Sequence, residues 1–317
     1  MPELPAVTLY VERLAAFTVG RSLEKVRFAS PFLLRSVTPP ISSVEGKRVV
    51  STGRIGKRIV ISLEGDLHLV IHLMIAGRLR WKARGFAIPK KRGLAAFDFE
   101  HGTISFTEAS PKKRASLHVV EGRLGVEAFD RGGIDLLTRT TADVAAALRS
   151  EVHTLKRALT DPTIVDGVGN AYSDEILHRA KMSPFIRTTQ MTDDEIERLH
   201  HAAHDVLHEW IERGRAEVGD GFPDEVTAFH ERMAVHGKFG KPCPACGTPV
   251  QRIRYAENEA NYCPTCQTGG KLLADRSLSR LMHDDWPKTL EELEDRKRKT
   301  AAEGEVKPSK KIARRKK

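Results

Sequence analysis

The chain has 317 residues, 40% of them apolar, and a formal net charge of +10. That length accommodates two or three domains with real hydrophobic cores, and no apolar run approaches the ~20 residues of a membrane span. With no apolar secretory segment at the N-terminus, the sequence reads as cytoplasmic; the charge is uneven, because residues 296–317 contain eleven Lys/Arg and two Glu and so hold nine of the ten net positive charges.

The chain opens Met1-Pro2-Glu3-Leu4-Pro5. If Met1 is removed, the new terminus is a secondary amine beside a carboxylate. An α-amino group has a pKa near ~7.7–8.0, so part of it is an unprotonated nucleophile at neutral pH and can form an iminium with a sugar carbon. The competing reading is an ordinary start with Pro5 opening a helix. Val7, Tyr10, Val11 and Leu14 predict that helix over about Pro5 to Phe17, which sets Pro2 and Glu3 at the positive end of its dipole.

Short alternating segments follow. Arg58 to Leu63 and Leu67 to Met74 flank Glu64-Gly65-Asp66, while Ala95 to Phe99 and Thr103 to Phe106 flank His101-Gly102. They predict antiparallel strands. From about Thr140 the period changes: Val144, Leu148, Val152, Leu155 and Leu159 predict one helix, and Thr192-Asp-Asp-Glu195 is a capping box opening a second, carrying Ile196, Leu199, Val206 and Trp210. Between them, Gly167-Val-Gly169-Asn170 precedes another helical stretch, and its backbone amides could hold a phosphate or simply form a loop.

Cys243-Pro-Ala-Cys246 and Cys263-Pro-Thr-Cys266 are the only cysteines, two Cys-x2-Cys knuckles sixteen residues apart. This spacing predicts one structural Zn²⁺ held by four thiolates, with no open position for catalysis. A disulfide reading fits a reducing compartment poorly. Pro249 to Tyr262 suits a β-hairpin whose Arg252 and Arg254 can reach phosphates. The basic stretch over 290–317 lacks the apolar residues to offset ordering entropy and is expected to be a disordered arm for a polyanion or a solubilising extension.

Taken together and in this order, Pro2-Glu3-Leu4-Pro5, Gly56-Lys57, His72-Leu73, the Asp161 to Pro184 stretch and the four-cysteine finger resemble the formamidopyrimidine-DNA glycosylase and endonuclease VIII family over about residues 2–277. The resemblance implies an α+β multidomain protein: an N-terminal antiparallel β-sandwich with an N-terminal helix over 2–125, an all-α helix-two-turn-helix domain over 130–220, a small zinc-finger hairpin over 234–277, and the tail. It implies a monomer acting on double-stranded DNA that contains damaged bases or abasic sites, with no membrane role and a location at the nucleoid. Pro2 becomes the Schiff-base nucleophile, Glu3 protonates the opening sugar and Lys57 contacts phosphate and assists β-elimination. Lys156 and Asn170 become backbone-phosphate contacts, alongside Met74, Lys112, Arg252 and Arg254 as further DNA contacts.

The implied reaction is removal of oxidised bases of the formamidopyrimidine and 8-oxoguanine type, with abasic-site lyase activity. Two alternatives stand beside it: an endonuclease VIII-like choice of oxidised pyrimidines, and a noncatalytic binder of damaged DNA. Departures from the family pattern motivate them. Ala6 and Thr8 replace glutamates, and Met74-Ile75-Ala76-Gly77 replaces Gly-Met-Ser-Gly, so either Met74 or Ile75 fills the void left by a flipped base. Pro111-Lys112-Lys113-Arg114-Ala115 lacks the family's wedge aromatic, and Asn258 stands where an arginine assists δ-elimination, which predicts β-elimination with weakened δ-elimination unless Arg252 or Arg254 substitutes. Other polar residues have plainer readings: His204 and His208 lie on a solvated helix face, and Trp210 and Met182 belong to packing.

Overall fold

One helix at the N-terminus ties a β lobe to a helical lobe. The computed structural model describes residues 1–224, 229–255, 258–274 and 287–305. Helix α1 spans Leu4–Thr18, with Pro5 in its first turn, where the missing amide hydrogen costs nothing. Val7, Tyr10 and Leu14 enter the core of the β lobe, whereas Leu4 belongs to the core of the helical lobe. The first three residues therefore sit at the joint.

The β lobe is two four-stranded antiparallel sheets. One is ordered β1 (Leu23–Phe28), β6 (Gly93–Phe99), β7 (Gly102–Glu108), β5 (Gly77–Lys82), and the other β2 (Val49–Ile55), β3 (Arg58–Leu63), β4 (Leu67–His72), β8 (Ser116–Glu121). Both expected hairpins form, β3 with β4 and β6 with β7. The β3–β4 turn takes positive φ at Gly65 and Asp66, 83° and 57°, a backbone that glycine adopts freely and aspartate tolerates. Ile59, Ile61, Leu69, Ile71, Phe97 and Phe106 close the core between the sheets.

Five helices follow: α2 (Gly122–Glu127), α3 (Thr141–Arg149), α4 (Leu155–Thr160), α5 (Asn170–Arg179) and α6 (Asp193–Val218). The capping box of α6 forms between Thr192 and Glu195, and Ile196, Leu199, Val206 and Trp210 are buried. The single helix expected through Val144 and Leu159 is corrected to two. The chain breaks after Arg149, Val152 is 64% exposed, and Thr154 forms a bridge to Arg187. Thr188 bonds the carbonyls of Glu151 and His153, so side-chain partners from a later loop displace helical hydrogen bonds that spacing alone would favour.

The finger is a hairpin of β9 (Gln251–Tyr255) and β10 (Asn258–Tyr262), followed by α7 (Pro264–Thr268). Farther on, Leu290–Glu305 forms a helix, α8. The expected disordered arm over 290–317 is thus corrected for its first sixteen residues; residues 306–317 lie outside the described ones. Among the described residues no helix is long and apolar enough to cross a membrane.

Candidate active site and DNA-facing surface

The amino terminus is packed into the joint between the lobes, with Pro2 and Glu3 buried. Glu3 starts α1 without capping it. Its carboxylate reaches across to the next lobe and accepts three hydrogen bonds at the start of α5: Gly169 N at 2.8 Å and Tyr172 N at 3.1 Å donate to Oε2, and Ala171 N at 2.9 Å donates to Oε1. The dipole end that holds Glu3 is that of α5 rather than α1. The amides of the Gly167–Asn170 turn, read from sequence as a possible phosphate cradle, are occupied by this carboxylate instead.

Glycine is required at two places in that cradle. A Cβ on Gly169 would lie 2.6 Å from the Glu3 carboxyl carbon. At Gly167 φ is 76°, and its carbonyl accepts the Leu4 amide at 2.9 Å, which ties the start of α1 to the turn.

Around this carboxylate stand three positive groups. Burial lowers the pKa of the amino terminus, carried here by Met1, below its ordinary 8.0; nearby Glu3 opposes that shift, while Arg78 and Lys57 reinforce it. Lys57, in the turn between β2 and β3, is likewise pushed below the usual lysine range by burial, against the pull of Glu3 and Asp166. A buried amine with a lowered pKa is more often free to act as a nucleophile at neutral pH. Asp166 is itself held by Arg54 at 3.0 Å, and Arg54 also pairs with Asp135. Arg54 and Arg78 were not foreseen from sequence. Arg54 was visible only as a neighbour of Gly56-Lys57, and its partners lie 81 and 112 residues away.

The expected phosphate contacts divide. Lys156 is buried, its Nζ donating at 2.6 Å to Asp174 and at 2.7 Å to the Asn170 carbonyl. Where a phosphate contact was expected of Lys156, its ammonium is held by these two acceptors inside the protein. Asp174 also receives His236 Nδ1 at 2.7 Å, and neighbouring Glu175 accepts the amides of Ala234, Val235 and His236. These two acidic residues of α5 thereby hold the strap that leads into the finger.

Asn170 points to the finger, its Nδ2 donating to the Glu259 carbonyl at 2.7 Å. Arg252 lies over the Phe239 ring at 4.2 Å and pairs with Glu259 at 3.4 Å, while Arg254 is exposed. The side chain of Asn258 lies outside the described residues. Met74 is half-buried with a positive φ of 52°, and Ile75 is 56% exposed, so Ile75 is the apolar side chain presented to solvent on this loop. It borders a cavity lined also by Glu108, Ser110, Pro111, Lys112 and Arg114. The Glu108 carboxylate braces the basic loop by accepting the amides of Arg114 and Ala115.

Cys243, Cys246, Cys263 and Cys266 converge with their sulfurs all within 4.8 Å of one another, and none forms a disulfide. Sulfur pairs at 3.4, 3.5 and 3.9 Å suit the edges of a tetrahedron around a Zn²⁺ with bonds of about 2.3 Å. The four residues hold one structural zinc. His178 Nε2, on α5, lies 3.2 Å from Cys243 Sγ, a contact that orients a ligand and fastens the finger to the helical lobe. His204 and His208 are exposed on α6, as their spacing suggested, and Trp210 packs edge-on against Tyr172.

Comparison with known proteins matches this arrangement segment by segment. Residues 1–121 match the formamidopyrimidine-DNA glycosylase N-terminal domain, 135–220 the H2TH domain of the same enzyme, and 240–269 the zinc finger found in FPG and IleRS. The formamidopyrimidine-DNA glycosylase of Thermus thermophilus is 34% identical over 284 residues, covering 85% of this chain and all of the relative; that of Pelotomaculum thermopropionicum is 32% identical, covering 84% and 99%. The crystal structure of the Thermus thermophilus protein superposes with a TM-score of 0.71 at 32% identity, covering 84% of this chain and 98% of that one. Lactococcus lactis Fpg bound to DNA containing an abasic site shares the fold, with a TM-score of 0.73 at 23% identity over 84% and 99% of the two chains. With its sandwich, helix-two-turn-helix lobe and finger in this order, the chain belongs to the formamidopyrimidine-DNA glycosylase family.

Proposed function

We propose that the protein is a base-excision-repair DNA glycosylase with associated abasic-site lyase activity, and that Pro2 is its nucleophile once Met1 is removed. The observation that carries this reading is the joint itself: a buried amino terminus, a carboxylate fixed by three backbone amides, and Lys57 with a lowered pKa meet at one place. The unprotonated Pro2 nitrogen attacks C1′ of a flipped nucleotide, the glycosidic bond breaks with its electron pair leaving on the base, and Glu3 delivers a proton to the opening sugar. The resulting iminium acidifies the C2′ proton, and its loss expels the 3′ phosphate by β-elimination. Lys57 is assigned to hold a phosphate and assist that step; its nearness to Glu3 supports the role.

Formamidopyrimidine and 8-oxoguanine type lesions are the substrates suggested by the relatives' names and by shared architecture. Flipping a base costs a few kcal/mol of stacking and pairing. The finger, the basic loop at 110–114 and the exposed Ile75 are the elements available to supply and hold that distortion. The family arginine for δ-elimination is replaced by Asn258, so the main 3′ product is the unsaturated aldehyde of β-elimination unless Arg252 or Arg254 takes over that role.

Borohydride reduction on abasic duplex DNA tests the reading. A covalent adduct forms with the processed protein and disappears in Pro2→Gly that keeps its melting temperature. Failure of the processed protein to form any adduct, with duplex binding intact, would favour a noncatalytic binder. Release assays with 8-oxoguanine, formamidopyrimidine and thymine glycol then separate purine from pyrimidine preference.

A further inference from the structure

The relatives are matched over almost their full lengths, yet they leave about a sixth of this chain unmatched, and the finger match ends at residue 269. What lies beyond begins as an ordered attachment. Leu273 N donates to the hydroxyl of buried Tyr262, on the β10 strand of the finger, at 2.7 Å. Leu272 N donates to the Lys288 carbonyl at 2.9 Å, which brings the chain back to the finger immediately before α8.

Helix α8 starts at a formed cap: Glu292 N donates to Thr289 Oγ1 at 3.3 Å, and Lys288 N donates to Glu292 Oε2 at 2.7 Å. Glu291 and Glu292 occupy the positive end of the helix. The basic run Arg296-Lys297-Arg298-Lys299 begins about two turns later, roughly 10 Å along the axis from the cap at ~1.5 Å per residue. Arg296, Arg298 and Lys299 are exposed, Arg298 in long surface ion pairs with Glu294 and Asp295 at 3.9 and 4.0 Å, and seven further Lys/Arg follow between Lys307 and Lys317.

The charge distribution says what this arm is for. Residues 1–289 carry 41 basic and 36 acidic side chains, whereas 290–317 carry 11 basic and 6 acidic, so the arm holds as much net positive charge as the whole body, and its basic groups all follow Asp295. A net charge spread thinly over the body gives little long-range attraction to a polyanion, and a dense cationic run attached to the finger adds to it. We infer that the C-terminal extension is a second DNA-binding element, a finger-anchored basic arm that grips duplex phosphates without regard to sequence or damage. It rests on the proposed DNA substrate, and duplex DNA is favoured over other polyanions because the extension is anchored to the finger itself, at Tyr262 on β10.

Fluorescence anisotropy with an undamaged duplex tests this, using the full chain, a chain ending at Thr289, and a full-length variant with Arg296→Gln, Lys297→Gln, Arg298→Gln and Lys299→Gln. The truncated chain keeps the residues of the Leu272–Lys288 and Leu273–Tyr262 contacts. Each phosphate contact contributes about 0.9 to the slope of log affinity against log salt. The truncated chain is expected to lose at least about 3 from that slope and at least tenfold in affinity at low salt, the substituted variant to fall between, and single-turnover rates at saturating protein to stay unchanged. Equal slopes and affinities for all three chains would overturn the assignment, as would a loss confined to RNA. Borohydride trapping by the full chain reports separately on the catalytic proposal, so the two fail independently.

Discussion

The joint between the lobes and the tip of the finger both gather charge, and they use it oppositely. At the joint and along α5, Glu3, Lys156, Asp174 and Glu175 are buried, and each has its partners inside the protein. At the finger, Arg254 is exposed, and so are Arg296, Arg298 and Lys299 on α8. Buried charge with complete partners positions groups, because removing one partner leaves a costly desolvated ion; exposed charge is held for a ligand and contributes little to folding.

Removal of zinc is the largest way to break the comparison. Structural zinc contributes about 10–16 kcal/mol of apparent binding energy in small fingers, so Cys243→Ser or chelation should unfold the hairpin. The exposed tip then loses its scaffold, and duplex affinity should drop by more than ~100-fold while the β lobe keeps its circular dichroism. Because His178 and Asn170 fasten the finger to α5, a smaller loss of thermal stability in the helical lobe should accompany it.

Next in size is Lys156→Met. It leaves Asp174 with the His236 ring as its remaining close hydrogen-bond partner, and breaking such a buried pair costs about 3–5 kcal/mol in denaturant unfolding. The salt slope of DNA binding should not move if the ammonium stays on Asp174 in the complex. Arg254→Gln should do the reverse, leaving the unfolding midpoint within error and lowering the salt slope by about 1. A Lys156 variant that flattened the slope without destabilising the protein would erase the distinction.

A pH effect sharpens the picture within the β lobe. His72, at the end of β4, is pushed down from 6.5 to about 4 by burial, with Arg58, Lys57 and His118 adding to the shift. Its native-state pKa lies below the unfolded value, so the unfolded chain takes up the proton first. The stability contributed by neutral His72 is complete above pH 6.5 and is lost as pH falls toward 4. Melting temperatures recorded over that window should fall more steeply for the native chain than for His72→Gln.

Much of this architecture was legible in local pattern. Helix α1, strand β3 over Arg58–Leu63, the capping box of α6 and the four-thiolate set each depend on residues close in sequence, where periodicity and spacing speak directly. The break between α3 and α4 was hidden, because Val152 keeps helical spacing while the force that turns the chain comes from Thr188. The same reason concealed the fate of Lys156. Its basic charge suggested phosphate, and nothing near it announced Asp174, eighteen residues on, as a buried partner. The Gly167–Asn170 turn did carry the right physics, an anion at a helix start, but the anion is the protein's own Glu3. Pairing at long range, rather than residue type, separates the positioning charges from the binding ones.

The central claim concerns one atom, the nitrogen of Pro2 in the joint. It is tested most directly by locating the attachment point after borohydride trapping on abasic duplex, digesting the adduct and sequencing the modified peptide by mass spectrometry. The account predicts a peptide that begins at Pro2, lacks Met1 and carries the reduced sugar on its amino terminus. A sugar on Lys57, or an unmodified N-terminal peptide that still begins with Met1 in a protein that cleaves abasic DNA, would contradict it.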